Sequence, residues 1–132
     1  MDITSMNWAG IFGTACLAIV FLQSGLDKLF NYKRELGWIQ QKFTRSALYP
    51  YISTLFLLLT VFELLSGVLS GMGVILLVAG GATEIAKWGA WLSVLTLLML
   101  IFGQRITRDY TGSASLLPYF IAGILTLFLL NQ

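Results

Sequence analysis

The chain has 132 residues, of which 58% are hydrophobic and 11% charged, and its formal net charge is +2. A soluble domain is about 25% charged, so this balance indicates a protein embedded in lipid, and the net charge is too small to indicate a nucleic-acid partner. There is no histidine, which removes the usual haem and transition-metal ligand, and Cys16 is the only cysteine. We therefore expect no metal site, no cysteine redox pair and no intrinsic cofactor.

Four apolar segments are long enough to cross a bilayer, which needs about 20 residues as a helix. We predict spans over residues 8–30, 51–79, 84–104 and 116–130. The first segment is too long, and too poor in basic residues at its start, for a cleavable signal, so we expect it to remain as a span. The second exceeds what a bilayer requires. It is either one long helix or broken near residues 71–73, and we expect one helix because half-spans would leave backbone polar groups in lipid.

Residues 33–48 have a different pattern, in which apolar residues recur every three or four positions among basic and amide side chains. This pattern predicts an amphipathic helix that lies in the membrane interface between spans one and two. Residues 112–115 offer a cap for the last span, with Pro118 in its first turn. The fold predicted is an all-α membrane protein, a single integral domain over residues 1–132 built as an antiparallel four-transmembrane-helix bundle with one interfacial helix.

Basic residues set the expected orientation, because cytoplasmic loops carry an excess of lysine and arginine. The first and third connections hold seven of the eight: Lys28, Lys33, Arg34, Lys42, Arg45, Arg105 and Arg108. Lys87 alone lies on the other side. We therefore expect a multi-pass protein with both termini on the non-cytoplasmic side.

Polar residues cluster on the half of the bundle expected to be cytoplasmic. Candidate ligand-binding residues are Gln23, Ser24, Asp27, Lys28, Glu63, Gln104, Arg105 and Tyr119. Glu63 is the one deep ionisable group, and Lys28 and Arg105 are the basic residues best placed to pair with it or with Asp27. Glu63 also begins a face that contains Gly67 and Gly71, a spacing typical of close helix packing.

Two interpretations of this polar set remain open. The residues could form a satisfied network that fixes the register of the helices, or they could line a pocket for the polar head of a lipophilic molecule, because intramembrane carboxylates are costly to keep without a use.

Two motifs carry a resemblance to a known family. Residues 21–30 read Phe-Leu-Gln-Ser-Gly-Leu-Asp-Lys-Leu-Phe, and Glu63-Leu64 is followed by Gly67. With four spans in about 130 residues, the chain resembles the DoxX-like family of small bacterial membrane proteins. The resemblance implies an inner-membrane accessory subunit of a quinone-linked or other complex, with other membrane-protein subunits as partners and quinone or lipid as ligand. It also marks Ser24, Gly25, Asp27, Lys28 and Glu63 as the family-like polar set.

A quinone-linked subunit has three alternatives. The similar MauE proteins are expected to act through thiols, which the single cysteine argues against. A purely structural or assembly subunit remains open. A small proton-coupled transporter that uses Glu63 is less favoured, because the carboxylate lies in span two and the basic bias is too strong for a dual-orientation carrier.

Overall fold

The computed structural model describes residues 7–131, without the side chain of Tyr110, and this part of the chain is all-α. Its helices are α1 (Trp8–Phe30), α2 (Tyr32–Lys42), α3 (Ile52–Val78), α4 (Glu84–Ile106) and α5 (Tyr110–Leu130), with a single 3₁₀ turn at Tyr49–Tyr51. Four segments are long and apolar enough to cross a membrane, namely Trp8–Phe30, Tyr49–Val78, Glu84–Ile106 and Thr111–Leu130. The predicted antiparallel bundle of four spans, with a short helix between the first two, is confirmed.

The four long helices form a ring in chain order, with α1 against α3, α3 against α4, α4 against α5, and α5 back against α1. This is the up-and-down arrangement that short connections favour. We call the end with α2 and the α4–α5 turn the α2 end, and the end where α1 begins and α5 ends the far end. At the far end, Asn7 Nδ2 donates to the carbonyl oxygen of Leu129 at 3.0 Å.

Polar residues are buried inside the bundle, while many large apolar residues face outward. Large apolar side chains such as Phe12, Ile75 and Phe128 are exposed around the outer surface, as a lipid-facing surface requires. The buried polar residues are Thr14, Thr60, Glu63, Ser66, Ser70, Ser93, Thr96, Ser113 and Thr126. Several of the hydroxyls donate to the carbonyl four residues back in their own helix, as Ser93 does to Gly89 at 2.7 Å. The outer surface therefore makes direct contact with the lipid bilayer.

Glycines set the distances between helices. A Cβ at Gly67 would lie 2.8 Å from the backbone nitrogen of Leu22, so α1 and α3 touch there through their backbones. Gly71, expected from its spacing to share that packing face, has no heavy atom of another element within 4 Å of a Cβ position. The close approach of α3 to α4 occurs instead at Gly73, where a Cβ would lie 2.6 Å from Cα of Ala86.

The interfacial helix is shorter than predicted, because α2 ends at Lys42 rather than at residue 48. The Thr44 hydroxyl donates to the carbonyl of Gln41 at 2.9 Å, and the Ser46 hydroxyl accepts from the backbone N–H of Leu48 at 3.1 Å. Such local bonds compete with the helical ladder. Phe43, immediately after the helix, turns inward and is 8% exposed. By contrast, α3 runs unbroken for 27 residues, as expected for one long helix.

The last helix begins earlier than predicted, at Tyr110 rather than at residue 116. Its N-cap is Asp109, whose carboxylate accepts from the backbone N–H of Gly112 at 2.9 Å. The cap expected at residues 112–115 therefore lies inside the helix, and Pro118 is an interior residue rather than a member of the first turn. Similarly, α4 continues to Ile106, slightly past the predicted end at 104.

Candidate functional site

Glu63 is the centre of the candidate site. It is fully buried, and Lys28 Nζ lies 3.0 Å from its Oε2 and 3.2 Å from its Oε1. Ser24 Oγ lies 3.3 Å from both carboxylate oxygens and accepts from Lys28 Nζ at 3.1 Å. The three side chains form a closed triangle between α1 and α3, so the buried carboxylate has both a counter-charge and hydrogen bonds.

Local sequence explains why this triangle forms. Ser24 and Lys28 are four residues apart, so they lie on the same face of α1, one turn apart. Between them is Gly25, where a Cβ would lie 3.2 Å from the backbone nitrogen of Leu64. Because the two backbones come this close beside Glu63, the carboxylate reaches the lysine directly. The absence of a side chain at Gly25 of α1 thus allows the ion pair between α1 and α3 to form.

A cavity of about 280 Å³ lies beside the carboxylate. Its polar lining comes from Gln23, Ser24 and Asp27 of α1, Glu63 of α3 and Tyr119 of α5. Its volume is near the lower limit of ligand pockets, about 300 Å³. We call it the α1–α5 cavity.

The α1–α5 cavity lies where two helices separate. Towards the far end α1 and α5 are in contact. Gly13 lies so close to Thr126 that a Cβ at position 13 would clash with Oγ1 of Thr126. Towards the α2 end they part. Gln23 and Asp27 are exposed there, and Tyr119 is 44% exposed. The cavity therefore reaches the outer surface of the bundle between α1 and α5.

Most of the predicted site residues lie at this one place. The cavity is lined by Gln23, Ser24, Asp27, Glu63 and Tyr119. Lys28 pairs with Glu63 but is not itself among the lining residues. Two do not. Arg105 is exposed at the end of α4 and is not among the lining residues, and Gln104 belongs to a second cluster. Of the two basic partners considered for Glu63, the structure pairs it with Lys28.

The second cluster joins α2 to the α4–α5 turn. Lys42 Nζ lies 2.6 Å from Asp109 Oδ2 and 2.8 Å from Gln104 Oε1, and 4.9 Å from the ring centroid of Trp38. The hydrogen bond from Lys42, helped by the N–H of Gly112, holds the pKa of Asp109 below its ordinary value. We call these residues the Lys42 clasp. The four-residue spacing of Trp38 and Lys42 was visible in the sequence, but their partners on α4 and α5 were not.

A second cavity, of about 330 Å³, lies beneath the clasp between α2, α3 and α4. Its walls are apolar and include Phe43, Phe56, Leu59 and Met99. Lys42 and Gln104 are the polar residues of its lining. Sequence reasoning missed this α2–α4 cavity, because its walls are ordinary apolar residues of three separate segments.

Within residues 7–131, no group of three or more histidine, cysteine, aspartate or glutamate side chains is placed to hold a metal ion. Comparison of the chain with protein families, with curated proteins and with solved structures gives no match. The fold and the site geometry describe a small multi-span membrane protein with an ion pair buried beside a cavity.

Proposed function

We propose that the protein is a DoxX-like accessory subunit of a larger, quinone-linked or other, membrane complex in the bacterial inner membrane, and that its α1–α5 cavity binds the polar head of a quinone or lipid. One observation carries the proposal. A buried, ion-paired carboxylate forms part of the wall of a cavity that reaches the lipid-facing surface. Charges inside a membrane are costly, so a buried ion pair there is by default a functional-site hypothesis.

The chemistry of the lining suits a head group that carries both oxygens and hydroxyls. The N–H groups of Lys28 are directed to Glu63 and Ser24, so the donors left for a quinone carbonyl are the amide of Gln23 and the hydroxyl of Tyr119. Asp27 supplies an acceptor for the hydroxyl of the reduced form. Apolar neighbours in the lining, among them Phe21, Leu97 and Leu116, would flank the ring.

The proposed orientation places the α2 end in the cytoplasm and both termini on the other side. The basic residues of the two connections at that end support it, since positive charge is retained on the cytoplasmic side. Single cysteines introduced at Arg108 and at Gly81, in a Cys16→Ser background, test it with an impermeant maleimide on intact cells. Labelling of position 81 and protection of position 108 is the expected result.

The binding proposal is tested with decylubiquinone and the purified protein in mild detergent. We expect Tyr119→Phe and Glu63→Gln each to weaken binding. Tyr119→Phe removes a donor to the quinone carbonyl, and Glu63→Gln removes the charge that holds Ser24 and Lys28 at the cavity wall. Loss of one hydrogen bond of about 1.5 kcal/mol corresponds to about tenfold weaker binding. Glu84→Gln is the matched control, since that carboxylate is exposed at the far end. Equal affinity of wild type and Glu63→Gln would overturn the site assignment. Identification of the proteins that remain bound after gentle extraction tests the accessory-subunit role.

A purely structural subunit is the second candidate, and one observation favours it. Lys28 and Ser24 satisfy the Glu63 carboxylate completely within the protein, so the pair can fix the register of α1 against α3 without a ligand. In that case decylubiquinone binds neither wild type nor Glu63→Gln, and Gln23→Ala leaves the activity of the complex unchanged. A proton-coupled cation carrier is less well supported, because Lys28 already occupies the carboxylate that would bind the cation.

A further inference from the structure

The α2–α4 cavity has a shape and a lining that the proposed function does not use. About 330 Å³ of space lies between apolar walls, close to the end of the bundle where α2 crosses. Phe43, Phe56 and Met99 contribute to these walls, and Phe102 beside them is 60% exposed on the outer surface. In a bilayer the liquid that meets such an opening is lipid hydrocarbon, so an acyl chain is the natural occupant.

The excess of basic residues at this end of the bundle favours an anionic lipid. Outside the buried Lys28–Glu63 pair, the α2 end carries Lys33, Arg34, Lys42, Arg45, Arg105 and Arg108 against Asp27, Glu35 and Asp109. Lys42 is itself part of the cavity lining, and Arg45, three residues further, is exposed. Basic pockets beside membrane helices at the interface attract anionic head groups, by about 1 kcal/mol for each basic residue.

We infer that the α2–α4 cavity binds one acyl chain of an anionic phospholipid, whose phosphate contacts Lys42 in competition with Asp109. The ammonium of Lys42 lies between the cavity and the α4–α5 turn, 2.6 Å from Asp109 Oδ2. That carboxylate is 34% exposed at its side chain, so its bond to Lys42 is open to exchange with another anion. The site is separate from the α1–α5 cavity, and neither inference depends on the other.

The competition predicts effects of opposite sign. Asp109→Asn removes the competing charge but keeps a good N-cap residue for α5, so affinity for phosphatidylglycerol should rise about fivefold. Lys42→Gln should remove the preference for phosphatidylglycerol over phosphatidylcholine with the same acyl chains. A gain of affinity cannot come from a variant that fails to fold, which makes Asp109→Asn the decisive variant.

The acyl chain is tested by filling the cavity. Gly103 lines it, and a Cβ there would meet only Cζ of Phe43, at 3.4 Å, so Gly103→Leu directs a side chain into the space. Gly71→Leu makes the same change where a Cβ would meet nothing within 4 Å. We expect Gly103→Leu to lower the binding of both lipids about tenfold and Gly71→Leu to leave it unchanged.

The measurement is native mass spectrometry of the detergent-solubilised protein, titrated with each lipid in turn. Preferential binding of phosphatidylglycerol that increases in Asp109→Asn and is lost in Lys42→Gln supports the inference. Glu63→Gln should keep the preference for phosphatidylglycerol over phosphatidylcholine, because Glu63 does not line the α2–α4 cavity. That result would separate this site from the α1–α5 cavity. Two results would overturn the inference. One is that wild type and Asp109→Asn each bind phosphatidylglycerol no more tightly than phosphatidylcholine. The other is that Gly103→Leu binds both lipids as tightly as wild type.

Discussion

Removal of Lys28 should destabilise the protein more than removal of its partner Glu63. The Lys28 side chain is 17% exposed, whereas that of Glu63 is 1% exposed. In Lys28→Met the carboxylate is left buried without a counter-charge, a change that costs about 3–5 kcal/mol for a fully buried pair. Because Lys28 retains some exposure, we expect a loss near the lower limit, about 3 kcal/mol in the free energy of unfolding.

The reverse replacement, Glu63→Gln, leaves the ammonium of Lys28 without its counter-charge, but that ammonium can move. In Glu63→Gln the amide oxygen still accepts from Ser24, and the four-carbon stem of Lys28 lets its ammonium move towards the interface. We expect a loss of about 1–2 kcal/mol, the size of a net hydrogen-bond contribution to a charged group. The double variant has no stranded charge, so it should lose about 2 kcal/mol rather than the sum of the two single losses.

Unfolding by sodium dodecyl sulfate in mild detergent, followed by tryptophan fluorescence, measures these differences. Lys87→Met is the matched control. Its partner Glu84 is 3.8 Å away and the two side chains are 30% and 70% exposed, so the loss should be under about 1 kcal/mol. If Lys28→Met were no more destabilising than Lys87→Met, or if the single losses simply added in the double variant, the reasoning from burial would be refuted.

Three further predictions concern other parts of the bundle. Gly73→Val should lower the melting temperature markedly, since a Cβ there overlaps the backbone of α4, while Gly71→Val, two residues away in open space, should not. Ser70→Ala should raise stability by about 1 kcal/mol in chemical unfolding, because Ser70 Oγ is buried without a hydrogen-bond partner among the described residues. Lys42→Gln should raise the pKa of Asp109, seen by carboxyl NMR. The Asp109 carboxylate stabilises the folded protein above its unfolded-state pKa. As the pH falls, Lys42→Gln should lose that stabilisation at a higher pH than wild type does.

Much of the fold follows from apolar length alone. The predicted first span, residues 8–30, matches α1 from Trp8 to Phe30. The side chain of Asn7 caps its start by accepting from the N–H of Gly10, and Asn31 is the C-cap. The start of α5 lies at Tyr110 rather than at the predicted residue 116, because Asp109 caps the helix. Its role as an N-cap depends on an aspartate three residues before Gly112, a weak signal beside the apolar run that follows.

The site was predictable only as far as single helices carry it. The four-residue spacing of Ser24 and Lys28 marked one face of α1, and Glu63 was marked as the deep carboxylate of α3. The bond between Lys42 and Asp109 crosses 67 positions of the chain. It depends on the path of α2 across the end of the bundle, which a period of 3.6 residues does not encode. Both cavities likewise depend on how far the helices separate.

The separation of the helices towards the α2 end has a mechanical consequence. Towards the far end, Gly13 brings the α1 backbone against the Thr126 side chain of α5, and Gly73 brings α3 to backbone contact with α4, whereas both described cavities lie in the other half. Hydrostatic pressure favours states with less internal void volume, and close-packed regions have low compressibility. The protein should therefore be stiff at one membrane face and soft at the other, and under pressure the half with the cavities should yield first.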